Sequence, residues 1–354
     1  MTNKSTLKQI SNTKEWTVVV EWIKSISKNT SSYQSEAQLE KEFITQLQKQ
    51  GYEYIDLSKT DNKDHEEWLI NNLRTQIQKL NNTQFSDREW KEIFNTYIAN
   101  DSDNVEDASK KIQQDYIYSL KRDDGSEINV YLINKKDIHK NSLQVINQYT
   151  NNSGKYENRY DVTILVNGLP LIQIELKRRG IALKEAFNQI NRYKNESYNF
   201  SLFKYIQIFV ISNGTSTKYY SNTVRYLHIK ELSNQDVKSK TSNSFSFTNY
   251  WSDSKNQLIE DLISFTQTFF AKHTILNILT KYCVFTSEEH LLVMRPYQIV
   301  ATEKIINRIE ISNNYQDKLG TTSAGGYIWH STGSGKTLTS FKTAQLVRDL
   351  DYVD

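Results

Sequence analysis

The sequence predicts an α/β protein, in which a mixed sheet flanked by helices is followed by the start of a second α/β unit. Helical spacing dominates residues 35–98, and a period of two takes over from about residue 128. Near the C-terminal end a strand-like run leads into a Gly-rich turn. Only 2 prolines and 11 glycines among 354 residues favour long regular elements over irregular loops.

Bulk composition excludes several classes of protein. The net charge of +3 indicates no polyanionic partner by itself, so any nucleic-acid contact must come from a local basic patch. A single cysteine, Cys283, excludes an internal disulfide framework and fits a reducing compartment. The polar N-terminus and the lack of a long apolar run predict a soluble, cytoplasmic protein without a membrane segment.

The first clear helix is predicted to begin after Ser35, which has Gln38 at capping-box spacing, and to end at Gly51. Residues 15–27 fit either a short amphipathic helix or a strand pair. The other predicted helices are 66–80, 86–98, 182–194, 255–282 and 296–309. The predicted strands are 128–133, 143–149, 159–166, 170–177, 205–212 and 326–330. The serine-rich stretch 234–249 suggests a boundary, giving domains 1–240 and 286–354 joined by a linker and helix at 241–285.

Two strands of the predicted sheet carry acidic residues on either side of a turn. Asn167-Gly168 suggests a two-residue turn, but that register mixes apolar and polar residues on both faces. A three-residue loop pairs Val166 with Pro170 and places Asp161 opposite Glu175. The apolar pairs are then Val162 with Ile174 and Ile164 with Ile172. We therefore predict three loop residues and two facing carboxylates.

Facing carboxylates repel each other unless a cation lies between them, and oxygen ligands of this kind suit Mg²⁺. Such a metal would polarise a phosphate and activate a water molecule. Lys177 lies two residues after Glu175 on the same face, where it could position that water. An ordinary surface ladder of Asp161, Glu175 and Lys177 explains the same pattern without any catalysis.

Residues 159–193 resemble the nuclease region of the restriction (R) subunit of type I restriction-modification enzymes. The resemblance implies a PD-(D/E)xK nuclease fold, with Asp161, Glu175 and Lys177 as the catalytic set and Asp161 and Glu175 as metal ligands. Tyr160 stands where the motif has its proline. Gln189 and Tyr193 match the accompanying Q-x-x-x-Y motif. They share a helix face on which they could contact DNA, unless Tyr193 only packs and Gln189 is only solvated.

A local basic patch and one further acid complete the predicted nuclease site. The patch contains Arg178, Arg179 and Arg192, which would hold the phosphate backbone of double-stranded DNA. The resemblance implies an extra acid from the helix before the sheet, and Glu36 matches it better than Glu40. Glu36 also lies in the first turn of that helix, where the helix dipole alone would favour a capping or exposed glutamate.

Residues 326–337 (GYIWHSTGSGKT) have the pattern of a P-loop for ATP and Mg²⁺. Backbone N–H groups around Gly333, Ser334 and Gly335 would cradle phosphates, with Lys336 on the β/γ oxygens and Thr337 on the metal. The string is similar to the P-loop of superfamily 2 helicases and of the R subunit, although His330 replaces the first glycine. Upstream, Gln298 resembles the Q-motif glutamine that reads adenine.

The resemblance thus implies a PD-(D/E)xK nuclease domain followed by the truncated start of a RecA-like superfamily 2 helicase domain. Its full-length form would join methylation (M) and specificity (S) subunits, translocate DNA with ATP and cut at non-specific sites. A RecB-like repair helicase-nuclease is an alternative, although in that class the nuclease follows the motor. The other alternative is a non-catalytic fragment for DNA binding or docking.

Overall fold

The computed structural model describes residues 6–8, 17–23, 34–60, 64–151, 158–192, 201–224 and 244–352. The chain forms two compact units. The larger unit consists of Ser32–Tyr250 and Glu260–Val293, and the smaller one of Met1–Ser31, Trp251–Ile259 and Met294–Asp354. These units do not follow the boundaries at 240 and 285. As a division into functional domains, the three-part scheme stays a prediction.

Helices and strands follow one another in irregular order along the chain. The helices are α1 (Glu36–Lys49), α2 (His65–Asn81), α3 (Asp87–Glu92), α4 (Val105–Gln113), α5 (Leu183–Arg192), α6 (Leu262–Thr268), α7 (Lys272–Asn277), α8 (Pro296–Asn314) and α9 (Lys336–Arg348). The strands are β1 (Thr6–Lys8), β2 (Glu21–Ile23), β3 (Glu53–Ile55), β4 (Ile117–Lys121), β5 (Glu127–Tyr131), β6 (Leu143–Asn151), β7 (Asn158–Val166), β8 (Leu169–Leu176), β9 (Ile208–Ser212), β10 (Thr217–Ser221), β11 (Trp251–Ser252), β12 (Leu258–Ile259), β13 (Cys283–Phe285) and β14 (Leu291–Val293). Single π-helical turns, Ile93–Ile98 and Ile278–Tyr282, follow α3 and α7.

The core of the larger unit is a six-stranded sheet with the order β10-β9-β8-β7-β6-β3. The pairs β8–β9 and β3–β6 are parallel, and the other neighbours are antiparallel. The mixed sheet flanked by helices is therefore confirmed. All residues of β8 are buried, so this strand occupies the middle of the core.

The predicted start of α1 is confirmed. Ser35 is its N-cap and forms a capping box with Gln38, in which each side chain accepts a hydrogen bond from the other residue's backbone N–H. Leu39, Phe43, Ile44 and Leu47 form the buried face of the helix. Because these apolar positions recur with helical spacing, the sequence alone fixes which face of α1 packs inward.

The β7–β8 hairpin corrects one prediction and confirms another. Its turn is the two-residue Asn167-Gly168, with φ values of 52° and 83°, and Val166 pairs with Leu169. The predicted three-residue loop and its pairing of Val166 with Pro170 are therefore wrong. A register shift beyond Ile164 leaves Leu171 as an extra residue in β8. The predicted pairs Val162–Ile174 and Ile164–Ile172 are both present as a result.

Two other predicted elements differ from the structure. Residues 255–282 are not one helix. Asp261 caps a new helix, α6, by accepting a hydrogen bond from the Ser264 N–H at 2.9 Å, and α7 begins separately. Residues 326–330 form no strand in the described part of the chain. Their backbone has no neighbouring strand there, and Tyr327 and Trp329 are 88% and 90% exposed.

In the smaller unit, α8 packs against α9, and β11 pairs with β12.

Of the two alternatives for residues 15–27, the described part favours strands, because β2 pairs with β1. No helix in the described ranges is both long and apolar enough to cross a lipid bilayer.

Candidate active site

Asp161 of β7 and Glu175 of β8 lie next to each other, as the register predicts. The two carboxyl groups are close enough for the charge of Asp161 to raise the pKa of Glu175. The Leu176 N–H donates to Asp161 Oδ2 at 2.8 Å, which fixes the orientation of that carboxyl group. Glu175 is fully buried, while Asp161 is half-buried and forms the more open side of the pair.

Burial dominates the electrostatics of this pair. It raises the pKa of Glu175 well above its ordinary value, and the adjacent charge of Asp161 raises that pKa further. Burial also raises the pKa of Asp161, although the hydrogen bond from Leu176 opposes the shift. Two such carboxylates ionise together only when a cation compensates both charges.

Lys177 supplies one cationic group to the pair. Its Nζ lies 3.3 Å from Glu175 Oε1 and 3.0 Å from the Leu176 carbonyl oxygen. The Lys177 N–H donates to the Ser212 carbonyl at 2.8 Å, so the pairing of β8 with β9 extends to this residue and holds it in place. The structure therefore brings together Asp161, Glu175 and Lys177.

The donor set fits Mg²⁺ in chemical type, because this ion is usually held by one or two carboxylates and keeps several waters. Asp161 and Glu175 provide the two carboxylates. Within the described ranges, no group of three or more His, Cys, Asp or Glu side chains is placed to hold a metal ion. Any further ligands would be water or phosphate oxygens.

Glu36 and Glu40, in the first turns of α1, differ in the number of hydrogen bonds that hold their carboxylates. Glu36 is exposed, and its Oε1 accepts a hydrogen bond from the Arg178 N–H at 3.3 Å. Its charge contributes to the raised pKa of Asp161, but it does not complete a three-carboxylate group. Glu40 is half-buried and accepts hydrogen bonds from the side-chain amides of Asn147 (2.6 Å) and Gln148. The burial of Glu40 raises its pKa, and the charge of Asp161 adds to the shift.

Sequence reasoning missed a buried polar pair close to the acids. Gln173 is fully buried, and its Oε1 accepts a hydrogen bond from Thr163 Oγ1 at 2.9 Å. Its Nε2 has no hydrogen-bond partner among the described atoms. The available signal was a single amide inside the apolar run of β8, two residues before Glu175.

The residues predicted to contact DNA are only partly visible. Arg178 and Arg179 are exposed just after β8, and Arg179 Nε donates to Gln34 Oε1 at 3.3 Å. Gln189 is half-buried on α5. Tyr193 and the side chain of Arg192 lie outside the described residues. The buried face of α5 consists of Leu183, Ala186, Phe187 and Ile190.

Two glycines of the Gly-rich loop in the smaller unit adopt a backbone conformation with positive φ. Gly333 and Gly335 have φ values of 77° and 79°, and α9 begins directly afterwards at Lys336. Lys336 Nζ lies 3.4 and 3.3 Å from the carbonyl oxygens of His330 and Ser331. Thr337 is exposed in the first turn of α9.

Gln298 lies beside this loop although 36 residues separate it from Ser334. Its Nε2 donates to the Ser334 carbonyl at 2.9 Å, and its Oε1 accepts from the Arg295 N–H at 2.9 Å. The separation of 36 residues along the chain therefore does not keep Gln298 away from the loop.

Two family models match the chain. Residues 33–227 match the family described as "Type I restriction enzyme R protein N terminus". Residues 297–353 match the family described as "SWI2/SNF2 ATPase". The first match covers the six-stranded sheet with its two acids, and the second covers most of α8, the Gly-rich loop and α9.

Several curated proteins are similar to the chain. The type I restriction enzyme EcoprrI endonuclease subunit of Escherichia coli is 47% identical over 305 residues, which cover 86% of this chain and 91% of that protein. The SauCOLORF180P endonuclease subunit of Staphylococcus aureus strain COL is 39% identical over 329 residues. The SsaAORF53P endonuclease subunit of Staphylococcus saprophyticus is 39% identical over 328 residues. The matches cover 91% of this chain but only 31% of the two staphylococcal proteins.

Proposed function

Because the chain belongs to the family of type I restriction enzyme R proteins, we propose that its larger unit is a Mg²⁺-dependent DNA endonuclease of the PD-(D/E)xK kind. One observation carries the proposal. The carboxyl groups of the half-buried Asp161 and the fully buried Glu175 lie side by side, and the Lys177 ammonium group is 3.3 Å from Glu175. Burying two acids in this way is costly unless their charges are used to hold a cation.

In this proposal Asp161 and Glu175 hold the metal ion, and Lys177 positions the attacking water. When bound, Mg²⁺ would lower the pKa of that water and polarise the scissile phosphate. The Leu176 N–H keeps one Asp161 oxygen in a fixed direction, and its hydrogen bond strengthens when the carboxylate is ionised. Lys177 would also offset the negative charge that develops on the phosphorus oxygens.

The residues around this set would bind the DNA backbone. Arg178 and Arg179 are exposed directly after β8 and lie next to Lys177 in the chain. We propose that they contact phosphates of double-stranded DNA, together with Arg192, Gln189 and Tyr193. We assign a supporting role to Glu36 and Glu40 of α1. Glu36, whose charge influences Asp161, is proposed as an outer metal ligand through water, and Glu40 would hold β6 in place around Gln148.

The smaller unit is proposed to bind ATP with Mg²⁺. The positive φ values of Gly333 and Gly335, the start of α9 at Lys336 and the match to an ATPase family support this assignment. Helix N-termini that follow such loops bind phosphate groups through free backbone N–H groups. Ser334 would contribute its N–H, Lys336 would move to the β/γ phosphates, and Thr337 would ligate the metal.

The activity of the longer proteins is a further part of the proposal. Since the chain spans about a third of the staphylococcal relatives, DNA translocation and cleavage at non-specific sites are proposed for the corresponding whole protein. Its expected partners are the methylation (M) and specificity (S) subunits. The family match favours this assignment over a RecB-like repair helicase-nuclease.

A plasmid-nicking assay tests the nuclease proposal. The unaltered chain with Mg²⁺ should convert supercoiled plasmid to the open circle, and Lys177→Ala should slow this roughly 10²- to 10³-fold, the usual loss when one group that stabilises developing charge is removed. Lys140→Ala is the matched control, because the Lys140 side chain is 64% exposed and pairs with Asp137 at the surface. Equal inactivity of all three preparations, with DNA binding retained, would instead support the non-catalytic docking function.

A further inference from the structure

Two side chains from the start of α8 hold a single backbone oxygen of the Gly-rich loop. Tyr297 Oη donates to the Ser334 carbonyl at 2.8 Å, and Gln298 Nε2 donates to the same oxygen at 2.9 Å. A carbonyl oxygen has two lone pairs, so the two donors account for its whole hydrogen-bonding capacity. The loop is thus attached to α8 at one defined atom.

The glutamine of this pair is itself held in place. Gln298 is 5% exposed, and its Oε1 accepts a hydrogen bond at 2.9 Å from the backbone N–H of Arg295, the N-cap residue of α8. With its oxygen fixed in this way, the amide nitrogen points towards Ser334. Tyr297 is half-buried, and its ring meets the His330 ring edge-on at a centroid distance of 5.6 Å.

The loop leaves room for this contact only because residue 335 is glycine. A Cβ atom on Gly335 would lie 2.3 Å from Gln298 Nε2. The amide therefore occupies the space that a side chain would take, and the φ of 79° is also one that other residues rarely adopt.

The orientation of the next peptide group follows from this attachment. In a trans peptide the C=O of one residue and the N–H of the next point in opposite directions. Holding the Ser334 oxygen against α8 therefore turns the Gly335 N–H away from α8, towards the open side of the loop. An outward N–H is the group that a phosphate oxygen needs.

We propose that Tyr297 and Gln298 are positioning residues of the phosphate-binding loop. By holding the Ser334 carbonyl group in place, they fix the conformation of the loop. The inference rests on the proposed nucleotide binding and extends it to a residue with no assigned role. The two side chains orient the part of the loop that would bind phosphate groups. Their effect on nucleotide affinity should therefore be the same for every base. Tyr297 contributes through its hydroxyl group.

The test compares the unaltered chain with Tyr297→Phe and Gln298→Ala, and uses Tyr327→Phe as the matched control because Tyr327 is 88% exposed. Titration calorimetry measures the binding of inorganic tripolyphosphate, ATP and GTP, each with Mg²⁺. Tyr297→Phe should weaken all three by the same factor, roughly 3- to 10-fold, as expected for one lost hydrogen bond. Tyr327→Phe should change none of them.

Amide hydrogen exchange in the nucleotide-free chain gives a second readout. The peptide covering residues 331–336 should exchange faster in Tyr297→Phe and Gln298→Ala than in the unaltered chain, with no change in the thermal unfolding midpoint. Unchanged exchange together with unchanged affinities would overturn the proposal. A loss confined to ATP would also overturn it, because the side chains would then read the base.

Failure of the underlying function gives a different result. If the unaltered chain binds none of the three polyphosphates, the nucleotide-binding proposal is wrong. The exchange experiment still decides whether Tyr297 and Gln298 set the conformation of the loop, since it needs no ligand.

Discussion

The two candidate sites of this chain are built in opposite ways. The acids of the larger unit lie on central strands, where Glu175 is fully buried and the neighbouring Gln173 is inaccessible to solvent as well. The loop of the smaller unit lies at the surface, with Gly333, Lys336 and Thr337 exposed. The first site takes its geometry from the register of a buried sheet. The second takes it from glycine dihedral angles and from a few hydrogen bonds to α8.

This difference has an energetic consequence. A site made of buried ionisable groups opposes folding, because each charge loses its hydration. A site made of exposed backbone opposes folding much less. Changes near the candidate nuclease site should therefore alter stability strongly and in either direction, whereas changes around the Gly-rich loop should alter mainly ligand binding.

The largest expected effect comes from the turn of the buried hairpin. Gly168→Ala should destabilise the larger unit by about 2–4 kcal/mol, because a positive φ of 83° is strained for alanine and its Cβ would lie 2.6 Å from the Leu73 Cα. Urea denaturation measures the loss. Gly125→Ala is the matched control, since Gly125 also has a positive φ but nothing lies within 4 Å of its Cβ position. Equal losses of stability in both variants would mean that the strain of a positive φ alone decides the effect, without the close approach of the Cβ atom to Leu73.

A smaller effect, of opposite sign, is expected at Glu175. Glu175→Gln should raise the stability of the metal-free chain at pH 7.5 by about 0.5–2 kcal/mol, while it abolishes nicking, a trade-off common at active sites. Thermal unfolding in EDTA gives the change, with the exposed Glu260 as the site of the control Glu260→Gln.

The pH dependence of that difference follows from the raised pKa of Glu175. Above its ordinary value of 4.5 the unfolded chain loses this proton before the folded chain does, so stability falls as the pH rises towards the folded pKa. Glutamine has no proton to lose, and the advantage of the variant should therefore shrink when the pH is lowered below 4.5. Mg²⁺ should stabilise the unaltered chain but not the variant. A variant less stable than the unaltered chain at pH 7.5 in EDTA would show that burial of this charge is already compensated.

The smallest effect is expected in the smaller unit. Trp329 is 90% exposed next to the Gly-rich loop, so Trp329→Ser should change the free energy of unfolding by no more than about 0.5 kcal/mol. Chemical denaturation of the two chains side by side checks this. A loss above about 1 kcal/mol would contradict the contrast between a buried and an exposed site.

Much of the larger unit could be predicted from the sequence. The helix start at Ser35, the buried stripe of α5 and the pairing of Val162 with Ile174 all follow from local signals and apolar spacing. The proximity of Asp161 and Glu175 follows from that pairing. These features depend on residues close together in the chain, or on a hydrophobic match between two adjacent strands.

Other features depend on contacts that no local pattern reveals. Asn167 is held in its positive-φ conformation by hydrogen bonds with the Leu132 carbonyl, Asn141 and Ser142. Glu40 is fixed by two amides from β6, more than 100 residues away. The predicted strand 326–330 failed for a related reason, since a strand needs a partner and the described residues provide none there.

The extra residue Leu171 divides the β7–β8 hairpin into two segments with different pairing registers. Near the turn, Val166 pairs with Leu169 and Leu165 with Pro170, the register that a two-residue turn imposes. Beyond Leu171, Val162 pairs with Ile174, and this apolar pairing brings the two acids together. Without that offset, the same turn would set Asp161 against Ile174 and separate the carboxyl groups onto opposite faces. One extra residue in the middle of a strand thus shifts the pairing register by one position. It lets the two-residue turn Asn167-Gly168 coexist with the strand pairing that brings the Asp161 and Glu175 carboxyl groups together.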